Sequence, residues 1–132
     1  MIQAAVQPTY VSGRTNIALW GLQAVLATLF VFAGISKFFM PVDQLTQGGL
    51  AVGFVYFIGA LEVLGGLGLI LPLLLGFKPI LTPLAAVGLA IIMVGAVVMT
   101  IRVAPASNAI LPAAIACLLA VIARKRWRAL TL

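Results

Sequence analysis

Four apolar runs, separated by short polar or proline- and glycine-containing breaks, set the pattern of this chain. They cover about 17–40, 52–75, 80–101 and 106–123. A helix needs about 20 residues, at roughly 1.5 Å each, to cross a bilayer. The first three runs meet that length by themselves. The fourth is short if counted from Ala109, and adequate if it starts near Pro105 with its basic end reaching the headgroups. The pattern predicts an all-α integral membrane protein: a four-helix bundle, up-down-up-down, in one domain over 1–132.

The breaks carry their own signals. Asn16 is a plausible N-cap for the first run, since its side chain can accept from the free N–H groups of a first turn. Pro41 stops that run by restricting the residue before it. The stretch 41–51 holds Asp43, Gln44, Thr46, Gln47 and the pair Gly48-Gly49, which suits a loop or a short amphipathic turn on the membrane surface. Residues 76–79 read as a tight turn and 104–108 as another. Pro72 is expected at a kink or beyond the last full turn of the second run. Residues 1–13 are mildly polar and lack the pattern of a cleaved signal peptide, so a short flexible or interfacial arm is expected.

Composition narrows the class. Of 132 residues, 64% are hydrophobic and 8% charged, against about 25% charged in a soluble domain. The net charge of +6 does not point to nucleic acid. Four of the eight basic residues lie in Arg124-Lys125-Arg126-Trp127-Arg128, directly after the last apolar run, where such a cluster anchors a helix end at the headgroups. With four spans, Arg14, Lys78 and that cluster fall on one side, and only Lys37 and Arg102 on the other. The excess of Lys and Arg marks the cytoplasmic face. Both termini are therefore expected in the cytoplasm, with the chain multi-pass in the cell (inner or plasma) membrane and the lipid bilayer as its first partner.

The chain has one cysteine, Cys117, and no histidine, which argues against an internal disulfide, a metal centre or a haem ligand. Glu62 is the exception to the apolar pattern, the one charge between Val52 and Leu75 and near the midplane of its run. An acid there costs at least about 2.5 kcal/mol on insertion scales and usually faces a bundle interior or a wet cavity. Gly59, Glu62 and Gly66 are three and four apart, so they share a helix face, with Gly65 and Gly68 nearby. Small residues let helix backbones approach in lipid. Gly59, Gly65 and Gly66 are thus expected at a helix contact, and Gly88, Ile92 and Gly95 at another. The remaining candidates are Ser36, Lys37, Thr100 and Arg102, with Tyr56 and Gln44 at the rim. Antiparallel packing leaves Lys37 and Glu62 offset by about 8–9 Å along the axis. Lys37 has two readings: snorkelling to the interface, or turning inward to Glu62.

Phe32-Ala33-Gly34-Ile35-Ser36-Lys37-Phe38 and Ile58-Gly59-Ala60-Leu61-Glu62-Val63-Leu64-Gly65-Gly66-Leu67 together resemble the DoxX family, more specifically its DoxX-like branch. The second stretch matches that family's Gly-x-x-Glu-x-x-Gly-Gly pattern, and order, spacing and length agree from about Ile17 to Arg128. One departure is Thr100-Ile101-Arg102, where family members often carry a histidine; this weakens any proton-relay or metal role at that place. The resemblance implies association with quinone-linked redox or oxidative-stress systems. The expected role is an accessory subunit without a redox centre of its own, holding a quinone or another lipid near Glu62 and packing against a redox membrane protein. A homo-oligomer is a further expectation, no nucleic-acid partner is expected, and catalysis by the chain alone is left open. Two alternatives stand beside this role: a small proton-coupled transporter using Glu62, and a purely structural membrane scaffold.

Overall fold

The computed structural model describes residues 13–46, 49–76 and 78–131. The expected N-terminal arm, like Gln47, Gly48 and Phe77, lies outside the described residues. Four long helices follow in order: α1 (Gly13–Lys37), α2 (Val52–Leu75), α3 (Leu81–Val103) and α4 (Ile110–Thr131). One helical turn, Val42–Leu45, lies between α1 and α2, and a 3-10 turn, Ala106–Ala109, leads into α4. In hydrocarbon a helix is the form that pairs its backbone groups within one segment, and the four apolar runs take it. Each is long and apolar enough to span a membrane. The chain is an all-α, multi-pass membrane bundle with alternating helix directions.

The helix ends follow local chemistry. After α1, Phe38 N–H and Phe39 N–H donate to Ile35 O and Ser36 O before Pro41 turns the chain. The α2 helix includes Pro72 in its last turn, and Gly76 then closes it in the left-handed region at φ 74°, its N–H donating to Pro72 O. Glycine suits that position because it has no Cβ to strain. Two expectations are corrected here. The α1 helix starts at Gly13, three residues before Asn16, so Asn16 sits inside the first turn and is not its cap. The α4 helix continues about two turns past Ala123, to Thr131.

The bundle consists of two close hairpins. In the first, α1 and α2 run antiparallel, with Phe38 stacked on Tyr56, Gly34 beside Gly59, Ala27 beside Gly66, and Gln23 at Leu69. The second is α3 with α4. A shared core joins them, built from Leu26 and Phe30 of α1, Leu69 of α2, Ala86 and Leu89 of α3, and Leu119 and Ile122 of α4. The buried residues of α3 are Thr82, Pro83, Ala86 and Leu89, all in its first half. The hairpins therefore meet along the half of the bundle near the described chain ends, called here the inner half. In the outer half, α3 leaves α2 uncovered.

This splay also corrects one expected contact. Gly88 and Gly95 are exposed, and a Cβ on either would meet nothing within 4 Å. They are not a packing seam among the described residues, because no described helix lies against that face of α3.

Candidate functional site

The two glycine faces of α2 have different neighbours. Gly59 and Gly66 face α1, while Gly65 and Gly68 face α3. A Cβ on Gly34 would lie 2.5 Å from Gly59 O and 2.8 Å from Val63 Cγ2, so the two backbones are in direct contact there. A Cβ on Gly66 would lie 2.9 Å from Ala27 O. A Cβ on Gly65 would lie 2.7 Å from Leu89 Cγ, and one on Gly68 2.8 Å from Ala85 Cβ. Bare backbone at these points lets α2 lie close to both neighbours, as packing-driven association in lipid requires.

The close crossing at Gly34 and Gly59 also brings the charges together. Lys37 Nζ lies 2.6 Å from Glu62 Oε1. A Cβ on Gly59 would lie 3.4 Å from both Cβ and Cδ of Lys37, so the lysine stem passes over that glycine to reach the acid. This closes the axial offset expected from the sequence: of its two readings, Lys37 takes the inward one. Its side chain is 25% exposed and that of Glu62 only 5%. The acid is thus enclosed, and the ammonium lies between it and the outer end.

Both side chains line a groove of about 1130 Å³ that runs between α2 and α3, from Pro72 and Leu81 to Met99. Its walls are apolar, including Phe57, Leu61, Leu84 and Ile92, and Gly88 and Gly95 form part of its α3 side. The volume is at or above the top of the usual range for small-molecule sites, about 300–1,000 Å³. A long apolar slot with one cation and one anion on its wall suits a ligand with a compact hydrogen-bonding head and a greasy body.

The other candidates are placed apart from the pair. Ser36 donates its hydroxyl to Phe32 O, a contact within its own helix. Thr100 and Arg102 lie at the outer end of α3, where Arg102 is exposed, and neither is among the residues lining the groove. Tyr56 stacks on Phe38, their ring centroids 5.3 Å apart, and Gln44 is exposed in the outer turn.

The sequence of this chain matches the profile of the DoxX-like family over residues 21–123. It belongs to that family. No curated protein and no solved structure gave a match. The matched stretch of this DoxX-like chain contains Lys37, Glu62 and every glycine of the α1–α2 crossing.

A second polar cluster of the DoxX-like bundle escaped the sequence reading. Gln23 is fully buried and donates from Nε2 to Leu69 O. Its Oε1 accepts from Arg126 Nε at 2.8 Å, and Arg126 Nη1 donates to Asn16 Oδ1 at 2.9 Å. The guanidinium carbon lies 5.9 Å from the centroid of the Trp20 ring, within reach of a cation–π contact. Arg126 is only 8% exposed, so it is a tie from α4 to α1 and not a headgroup anchor. This corrects its expected role and explains why α4 stays helical beyond Ala123. The available signal was Gln23, an uncharged polar residue isolated in the first apolar run.

Proposed function

We propose that this DoxX-like protein is an accessory subunit that binds an isoprenoid-quinone-type lipid in the groove between α2 and α3 and holds it for a membrane redox partner. The observation that supports this reading is the Lys37–Glu62 pair on the wall of a lipid-sized apolar groove. The Lys37 ammonium beside Glu62 carries three N–H donors, so it can also donate to a carbonyl oxygen of a ligand head. The Glu62 carboxylate accepts from a ligand hydroxyl. A quinone, when bound, supplies two-electron, two-proton chemistry, and the chain binds and orients it while its partner exchanges the electrons. The charge asymmetry between the two ends supports a cytoplasmic inner end, with the Lys37–Glu62 side of the groove toward the other face of the membrane.

The test is extraction of the purified protein in mild detergent, analysis of its retained lipids, and titration with a short-chain quinone. Gly88→Leu and Gly95→Leu fill the groove at positions where a side chain meets open space. Each should weaken quinone binding by roughly tenfold or more, the loss that about 1.4 kcal/mol of contact represents. Unchanged binding in both variants, or no saturable binding by the wild type, would sink the proposal. Proton flux in vesicles that is abolished by Glu62→Gln would favour a transporter instead. Unaltered function in the double variant Lys37→Met, Glu62→Gln would favour a scaffold.

A further inference from the structure

A second groove, on an adjoining face of α3 and sharing Ile91 with the first, has a different character. It has a volume of about 670 Å³ and runs between α3 and α4 in the inner half. Val87, Ala90 and Val94 wall it on α3, and Ala120 and Ala123 on α4. Arg124, Trp127 and Arg128 line its inner end.

The helix distributes its basic cluster by angle. Arg126 turns into the bundle toward Gln23, whereas Arg124 and Arg128, four apart, share the groove face. Lys125 is exposed and is not part of that lining. The sequence holds only two acids, Asp43 and Glu62. Asp43 lies in the turn after α1 at the outer end, and Glu62 is paired with Lys37. No carboxylate side chain of this chain is left to compensate Arg124 and Arg128. A guanidinium fork matches a phosphate in shape and charge, and two on one helix face can close on a single phosphodiester. The slot beside them offers an acyl chain apolar walls and a volume of about 670 Å³, and an amphipathic ring such as Trp127 suits the headgroup boundary.

We propose that this groove is a binding site for one anionic phospholipid of the inner leaflet, its phosphate held by Arg124 and Arg128 and one acyl chain lying between α3 and α4. A zwitterionic lipid is disfavoured because its own ammonium is set beside two uncompensated cations.

The test measures lipid retained by the full chain purified from micelles containing equal phosphatidylglycerol and phosphatidylcholine. The wild type should retain phosphatidylglycerol with roughly thirtyfold preference, the order that two near-surface arginines supply. Arg124→Gln with Arg128→Gln should abolish that preference. Lys125→Gln, equally close in sequence but off the groove, should lower it by no more than about fivefold, the order of one diffuse near-surface charge. Ala120→Trp fills the slot without altering charge and should lower retention of phosphatidylglycerol by roughly fivefold or more, as expected for a blocked concave site. Equal losses from Lys125→Gln and the arginine variants would overturn the proposal in favour of diffuse attraction. Undiminished retention by Ala120→Trp, or competition by soluble glycerol phosphate at the same concentration as the lipid, would overturn the groove itself.

Discussion

The two buried polar clusters of this bundle both involve α1, but they solve different problems. At the outer end, Lys37 and Glu62 carry opposite charges, and the pair lines a groove open to lipid. At the inner end, Arg126 is held by the neutral side chains of Gln23 and Asn16 and by the Trp20 ring, with no carboxylate. Its Nη2 is buried and makes no hydrogen bond among the described residues. The outer cluster joins helices that already touch through Gly34 and Gly59. The inner one ties α1 to α4, across the two hairpins. A cluster that only fastens helices can enclose its cation among neutral partners. A complementary charged pair left beside a groove retains the capacity to meet a ligand.

Five single substitutions and two double variants break or sharpen this contrast, and unfolding in bicelles with a trapped or denaturant-driven readout measures each. The largest effect is expected from Lys37→Met, which strands an enclosed carboxylate and should cost about 3–5 kcal/mol. Glu62→Gln should cost less, since the lysine can extend to the outer interface. The double variant should recover much of the loss. An additive double variant would mean that the two charges are energetically independent. Gly34→Ala follows, because its new Cβ meets the Gly59 carbonyl, which is backbone and cannot swing aside. Overpacking of this kind costs about 1–3 kcal/mol, and it should also displace the Lys37 stem from Glu62.

Arg126→Met comes next, and its sign depends on its partner. Alone it leaves the Gln23 oxygen buried and unpaired, at about 1–3 kcal/mol. Combined with Gln23→Leu it should fall within about 1 kcal/mol of the wild type, because a well-packed apolar replacement of a buried polar cluster is often neutral. A large loss in that double variant would mean that the inner tie provides more than packing. The smallest effect on stability is expected from Gly88→Leu, within about 0.5 kcal/mol, as its side chain enters open space. Its quinone affinity is where the change should be read.

Much of this was legible in the chain. The apolar runs predicted four spanning helices because hydrocarbon leaves a backbone few other ways to pair its polar groups. Gly59, Glu62 and Gly66 sit on one face of α2 by helical spacing alone, and that face does meet α1. The sequence allows Lys37 either direction, because axial distance permits contact without deciding which way a flexible side chain turns. Asn16 and Arg126 were misplaced for a related reason. Each has a common local role, as cap or as anchor, and only a partner 110 positions away in the sequence gives it another. The Gly88 and Gly95 stripe has the same helical spacing as Gly59 and Gly66, yet no helix among the described residues covers it.

The sequence by itself determined the spanning segments, their alternation, the charge imbalance between the two ends and the family. These follow from one-dimensional quantities: run length, residue type and spacing along a helix. Only the tertiary structure decided that α3 parts from α2 in the outer half, that the Lys37 stem crosses Gly59 to Glu62, and that Arg126 turns inward while Arg124 and Arg128 do not. Those outcomes depend on how closely two backbones can approach at particular glycines and on which helix lies opposite each face. In lipid, where the faces of every helix are nearly equally apolar, hydrophobic pattern does not distinguish a face that meets protein from one that meets the membrane.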